Sequence, residues 1–587
     1  MSRLRSTLTM VAILSAVCMF VFRLVDIQIV QAPELNATSL DKRSVPLVTY
    51  GIRGDIVDED GTVMATTDVR YDVQMSPKNV RTINRLEPGG VQTVKVTPAQ
   101  QFAEIGSITG QKADEIEKIV SDALAENPKS DFAYVKRSVD LKTLKALKEL
   151  GIPWLTFSQN ASRIYPNGAV GGNLVGFVGT DNAPLAGVEL SQNACLAETN
   201  GKETYERGAD GVAIPGSTVK VEERVDGGTL QLTINKDLQW QTQQIVQRQK
   251  EATGAQWAVA TVADTATGQL RAVGESNTVD PNNIKASAAE DLTSKAFLYG
   301  YEPGSTYKAI TAAALIDTGT ATPLTQVLVP GSYVAPNGAK FRDSWSHGDT
   351  RYTLTGILVD SSNVGISLLG HGLSDETRYD YLQKFGIGTP TNAGLASESS
   401  GILHPYQEWD PQTSYTTMFG QGVSSTIVQT TGAYLTFANG GKRMPLSIID
   451  NCTYPDGTVT PYDAGDPVQV ISPESAKTMT SMLEMLPQDS WLTDVIAIPG
   501  YRIAGKTGTA QQPDGQGGYM STYIYSFAGY FPADNPKYVV VFSIAHPATA
   551  DGARQAVIGF RDVAQATIKA YAVPPSTTPA ETLPKHY

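Results

Sequence analysis

At 587 residues the chain is too long for one hydrophobic core, and its length suggests roughly two to four domains. An apolar content of 41% is that of an ordinary globular protein, which excludes a disordered or many-spanning chain. A net charge of -13 leaves no spare basic surface for phosphate contacts, so nucleic acid is not an expected partner. In chain order, Arg3 and Arg5 precede an uncharged apolar run from Thr7 to Phe22. Leu24, Val25, Ile27 and Ile29 extend the run past Arg23, which is long enough to snorkel to an interface. This pattern predicts a cytoplasmic segment over 1–6 and one transmembrane anchor over 7–29. The positive-inside rule then puts the bulk of the chain outside the cell. No small-x-small site follows the run, which disfavours a cleaved signal peptide, and the bulky Val17 disfavours a lipidated Cys18.

Residues 30–224 alternate strand-like pieces, "YDVQMSP" and "FAYVKRSV", with one helical stretch over 98–127, an α+β pattern. A Gly-Gly turn, the alternating strand "TLQLTI" and a long polar helix follow, so a domain boundary is expected near 225. In the second domain, 225–572, "WAVATVADTATGQLRAV" reads as two strands joined by a turn at Thr265 to Gly268, and "YVVVFSIAHP" as a buried strand. The Pro- and Thr-rich segment 573–587 is expected to be disordered. No repeat period is visible. Cys195 and Cys452 are far apart and make no disulfide framework, so no dependence on disulfides is expected and their pairing stays open. The five histidines show no HxxxH or HxH spacing and there is no CxxC, so neither a metal nor a cofactor is expected.

The stretch "GYRIAGKTGTA" at 500–510 fits two patterns. Gly500 to Thr507 matches GxxxxGK[ST], a phosphate-cradling loop, and Lys506-Thr507-Gly508 matches the KTG of serine acyl-transfer enzymes. A phosphate loop needs a helix beginning at its GK[ST], but the glycines and proline of "GTAQQPDGQGGYMSTY" forbid one, and no magnesium-binding aspartate follows. Acyl transfer needs a serine with a base, and in "EPGSTYKAITAAALID" Ser305 opens a helix with Lys308 one turn on, on the same face. Ser361-Ser362-Asn363 supplies a relaying hydroxyl and an amide for a substrate carbonyl. Lys506, Thr507, Gly508 and Thr509 supply an ammonium and a strand for an extended peptide. Ser39 to Lys42 is also SxxK, and Ser158 to Asn160 and Ser191 to Asn193 are also SxN, but these lack the order and local structure of the three elements together.

At these residues the chain resembles the class B, membrane-anchored penicillin-binding proteins. "RGDIVDEDGTVMA" at 53–65 is similar to the family's stretch just outside the membrane, with Glu59 and Met64 departing from its Arg and Leu. "RIYPNGAVGGNLVGFVG" (163–179) and "AGVEL" (186–190) resemble its pedestal, and 419–441 and 526–541 its transpeptidase domain. Asn235 stands where the family has Asp. The run from "GTDNAPLAGVELSQ" to "GVAIPG" looks closest to division-specific, septal members of actinobacteria. The resemblance implies an α+β pedestal over 30–224 and, over 225–572, an α/β penicillin-binding domain whose antiparallel sheet is covered by helices.

It also implies a D,D-transpeptidase acting on peptidoglycan stem peptides and acylated by β-lactams. Ser305 would be the nucleophile, Lys308 its base, Ser361 the proton relay and Asn363 a donor-peptide ligand. Lys506, Thr507 and Thr509 would grip the terminal carboxylate, beside an oxyanion hole of the Ser305 and Thr509 amides. Asn363 could also cap the helix from Val364, while Ser362 and Gly420 to Gly422 read as turn residues, and Trp345 as either cleft lining or packing. No glycosyltransferase-like stretch precedes the pedestal, which implies a separate membrane glycan polymerase and other division proteins as partners. A carboxypeptidase or β-lactamase, and a division scaffold with an idle active site, are the alternative functions.

Overall fold

The computed structural model describes residues 2–86, 93–179, 182–206, 216–515, 518–549 and 551–587. The residues Gly211 to Pro215 of the septal resemblance, and Thr180 and Asp181, lie outside these. At the start, α1 (Ser2–Val25) runs on through a π-turn, Asp26–Val30, giving one apolar helix from Arg3 to Val30 that is long enough to cross a membrane.

Seven strands form a sheet that straddles the boundary expected near 225. In chain order these are β1 (Ile56–Val57), β2 (Val63–Met75), β3 (Ala133–Val139), β4 (Leu155–Ile164), β5 (Thr229–Leu232), β6 (Ile449–Thr453) and β7 (Val459–Pro461). Their order is β7-β6-β5-β1-β2-β3, with β4 also on β2. Strand β5 pairs in parallel with β1 and antiparallel with β6, so the two domains share backbone hydrogen bonds. The stretch 98–127 is two helices, Pro98–Thr109 and Ala113–Glu126. Gly110 ends the first in the left-handed region at φ 75°, a conformation that costs glycine little.

The two pedestal-like stretches and the stretch expected just outside the membrane meet in one buried ion cluster. Arg53 Nε donates to Glu189 Oε2 at 2.7 Å and Arg163 Nε to Glu189 Oε1 at 2.7 Å, with Tyr165 OH 3.3 Å from the same carboxylate. Burial next to this carboxylate pushes the Tyr165 phenol far above its usual range. Cys195 and Cys452, whose pairing the sequence leaves open, are joined by a disulfide across 257 residues, their Cα atoms 6.1 Å apart. The bond falls where β6 joins β5, so it pins the first domain to the second. Cysteine spacing in the sequence holds no trace of this, because the proximity comes from the shared sheet.

The second domain is built on a five-stranded antiparallel sheet. Its strands are β8 (Trp257–Asp264), β9 (Leu270–Glu275), β10 (Ala504–Pro513), β11 (Tyr519–Phe531) and β12 (Tyr538–Ala545), in the order β9-β8-β12-β11-β10. The first two form the hairpin expected at Thr265 to Gly268, and β12 is buried at every position. Alternation sorts the residues: Ala258, Ala260, Val262, Val540 and Phe542 face helices Lys236–Thr253 and Gly552–Ala570, while Val259, Val539 and Val541 face the opposite core. Asn235, which stands where the family has Asp, caps the first of these helices, accepting from Leu238 N at 2.9 Å and donating to Glu59 at 2.8 Å.

Residues 573–587 are ordered, which corrects the expectation of disorder. Val573 is buried, Arg502 N donates to Ser576 Oγ at 2.9 Å, and Thr353 N donates to the Lys585 carbonyl at 2.9 Å. Composition misled here because a Pro- and Thr-rich segment needs no core of its own when a neighbouring domain supplies its hydrogen bonds.

Candidate active site

Ser305 lies in a 3-10 turn, Gly304–Tyr307, that feeds directly into α2 (Lys308–Asp317). Gly304 sits at φ 57°, and a Cβ there would lie 2.7 Å from the Thr509 carbonyl, so glycine lets the turn approach strand β10. The turn is held from behind: Tyr434 OH donates to the Thr306 carbonyl at 2.9 Å and Gly304 N to the Gly420 carbonyl at 2.9 Å. One helical turn after Ser305, Lys308 is wholly buried with Nζ 3.0 Å from Ser305 Oγ.

The SxN residues sit between α3 (Leu354–Asp360) and α4 (Asn363–Gly370). Ser361 is left-handed at φ 63°, an uncommon conformation for a residue with a Cβ, which marks a constrained turn. Its hydroxyl lies 3.1 Å from Lys308 Nζ and 2.9 Å from Lys506 Nζ, and its carbonyl also accepts from Lys308. Ser305, Lys308, Ser361 and Lys506 therefore form one continuous hydrogen-bonded chain. Burial, then the nearby Lys506 ammonium, hold Lys308 well below the usual lysine range, against the pull of Asp343. Burial likewise brings Lys506 down to about 7, opposed by Asp360.

Strand β10 carries the third element at the outer edge of its sheet, paired only with β11. Lys506 is buried and also donates to Thr507 Oγ1 at 3.2 Å, while the exposed Thr509 lines the cleft. At Gly508 a Cβ would meet Thr306 Cγ2 at 3.0 Å and the Pro303 carbonyl at 3.1 Å, so glycine lets the strand lie close against the serine turn. The phosphate-loop pattern has a strand, Ala504–Pro513, where it would need a helix. Ser305, Ser361, Asn363, Thr507 and Thr509 all line one cleft of about 880 Å³, with Trp345 and Gln421 in its wall.

Two residues of this site escaped the sequence. Asp343 is buried under the Ser361 turn: Oδ2 accepts from Ser362 Oγ at 2.7 Å and faces His347 Nε2 at 2.9 Å, and Oδ1 accepts from Val364 N at 3.0 Å. Ser362, read as a turn residue, is the cap of α4, accepting from Gly365 N at 2.8 Å. Asn363 is the first residue of that helix and donates to the Arg342 carbonyl at 3.0 Å. "SN" before an apolar run could have named Ser362 as the cap, whereas nothing local marks Asp343, which arrives from a distant loop.

Comparison with known proteins agrees with this geometry. Residues 258–565 match the model of the penicillin binding protein transpeptidase domain, and 48–232 that of the penicillin-binding protein dimerisation domain. The chain is 36% identical to penicillin-binding protein PbpB of Mycolicibacterium smegmatis over 97% of its own length and 91% of the relative's. It is 28% identical to peptidoglycan D,D-transpeptidase FtsI of Escherichia coli over 91% and 86%. Among solved structures, penicillin binding protein 3 of Mycobacterium tuberculosis complexed with ampicillin superposes with a TM-score of 0.70 at 30% identity, covering 92% of this chain and 100% of that one. A peptidoglycan synthetase from Bifidobacterium adolescentis gives 0.73 at 27% identity, covering 93% and 100%.

Proposed function

Because this chain belongs to the penicillin-binding protein transpeptidases, we propose that it cross-links peptidoglycan stem peptides through an acyl-enzyme on Ser305. The unbroken chain from Ser305 through Lys308 and Ser361 to Lys506, at the floor of a cleft bordered by the edge strand β10, is the observation that carries this reading. Neutral Lys308 takes the Ser305 proton as Oγ attacks the carbonyl of the penultimate D-Ala. The amides of Ser305 and Thr509 stabilise the oxyanion, each worth about 3 to 4 kcal/mol by analogy with other acyl transfers. When the carbon–nitrogen bond breaks, Ser361 passes the proton from Lys308 to the departing amine of the terminal D-Ala. A stem-peptide amine then attacks the ester, its proton returns through the same relay, and Ser305 is regenerated. Lys506, Thr507 and Thr509 hold the donor carboxylate, and Asn363 its peptide backbone. β-Lactams acylate the same serine.

The apolar helix Arg3–Val30 anchors the chain with Arg3 and Arg5 inside and both domains outside, where the Cys195–Cys452 disulfide is chemically at home. The resemblance at 179–192, with relatives named FtsI and PbpB, supports a role in septal synthesis, and the lack of a glycosyltransferase-like stretch before the pedestal leads us to infer a separate glycan polymerase as partner. Labelling of residues 30–587 with a fluorescent penicillin tests the acyl-enzyme. Wild type should carry a covalent label for many minutes and Ser305→Ala none. A folded, unlabelled wild type would leave the scaffold reading, and fast loss of label a β-lactamase.

A further inference from the structure

Residues 573–587 run from the sheet to the back of the active site, and each stage is held by named bonds. Tyr501 OH donates to the Val573 carbonyl at 2.7 Å, Ser576 N to the Gly500 carbonyl at 2.9 Å, and Asp534 accepts from Thr577 N at 2.7 Å. Leu583 packs on the main core. At the far end the segment meets both termini of α3, the helix that delivers Ser361. Thr353, which caps the first turn of α3, donates from its backbone to the Lys585 carbonyl at 2.9 Å and from Oγ1 to the Pro584 carbonyl at 2.6 Å. His586 lies over the Tyr352 ring, centroids 4.9 Å apart. Gly356 marks the closeness of this contact, since a Cβ there would lie 2.1 Å from the Lys585 carbonyl.

The Lys585 side chain then reaches the other end of the same helix. Its Nζ is 3.1 Å from Asp360 Oδ1, with the Asp489 carbonyl also at 3.1 Å and the Asp489 carboxylate at 3.8 Å. Asp360 takes a second bond from Tyr352 OH at 3.0 Å. It is the residue immediately before Ser361, lines the catalytic cleft, and is the carboxylate whose field opposes the burial of Lys506.

We propose that residues 573–587 are a strap belonging to the catalytic apparatus, and that Lys585 is a positioning residue acting through Asp360 to fix Ser361 between the two lysines. Backbone bonds from the strap hold the start of α3 and the Lys585–Asp360 pair holds its end, so Ser361 keeps its left-handed turn. Lys585 also shields Lys506 from the full charge of Asp360. The ionisable groups around this circuit are Lys308, Lys506, Asp343 with His347, Asp360 with Tyr352, and Asp489 beside Lys585.

The inference rests on acylation of Ser305, so wild-type labelling by the fluorescent penicillin is the internal control: its failure would remove that reading and leave the strap aside. The test is the pH profile of the acylation rate for Lys585→Gln, Lys585→Arg and Asp360→Asn. Lys585→Gln should acylate roughly tenfold more slowly, within the hundredfold that an ångström of misplacement costs, and Lys585→Arg should restore most of the rate. The alkaline limb, to which the charge on Lys506 contributes, should move to higher pH in Lys585→Gln, where Asp360 is unshielded, and to lower pH in Asp360→Asn, where the carboxylate is gone. Wild-type rate and limb in folded Lys585→Gln, or limbs that move the same way in both variants, would overturn the proposal. Should Lys585→Gln fail to fold, Asp360→Asn decides: a lowered limb supports the circuit and an unmoved one refutes it.

Discussion

A serine hydroxyl within hydrogen-bond reach of two buried lysines forces the question of which lysine is charged. Lys308 feels both burial and the neighbouring ammonium, which suits the base proposed for it, whereas Lys506, brought by burial to about 7, is the more readily charged of the two, as the proposed anion grip requires. The two titrate as a coupled pair, and a pH–rate profile reports the pair. Lys506 also makes a stability prediction. Its folded value of about 7 lies below the ordinary 10.5, so between those values the unfolded chain holds a proton that the folded chain has released, and stability rises with pH across that window. Denaturation of wild type and Lys506→Met should show wild type gaining on the variant between about pH 7 and pH 9. A constant gap would mean that Lys506 is charged throughout. At this scale the sequence was informative about Ser305, Lys308, Ser361 and Lys506, because each stands in a short pattern with a chemical reason for its spacing. It was silent about Asp343 and Lys585, which act across long sequence separations with no local pattern.

Among the elements, strand β10 does most to shape the cleft. It is an edge strand, leaving backbone groups for an extended peptide, and its glycine allows the Ser305 turn to lie against it. Gly508→Val should therefore lower acylation by about a hundredfold while the thermal transition persists, because the added side chain meets Thr306 and Pro303 and moves the serine relative to the oxyanion donors. Undiminished acylation would show that the strand has room to withdraw. The strands and long helices were readable from period and breakers, as with the hairpin over 257–275 and the buried strand β12. The helical stretch 98–127 was read as one helix because its apolar pattern continues past Gly110, whereas left-handed Gly110, Gln111 and the extended cap Lys112 separate the two.

For the whole molecule, the boundary expected near 225 is bridged in space. Strand β5 carries hydrogen bonds to both domains, the disulfide crosses the same place, and the buried Arg53–Glu189–Arg163 cluster locks three separate stretches of the first domain together. A rigid connection of this kind suits an enzyme that must hold its cleft at a fixed distance from the membrane that anchors it. None of these long-range ties has a local signature, which is why the sequence supplied the parts and the order of the site but not the pairing of Cys195 with Cys452 or the strap. The measurement that bears most directly on the central claim is product analysis with a D-Ala-D-Ala stem peptide as donor and an amine-bearing stem peptide as acceptor. The account predicts one D-Ala released per cross-linked product, an intermediate mass on Ser305, and neither in Ser305→Ala. Release of D-Ala without cross-linked product when acceptor is present would contradict it and identify a carboxypeptidase.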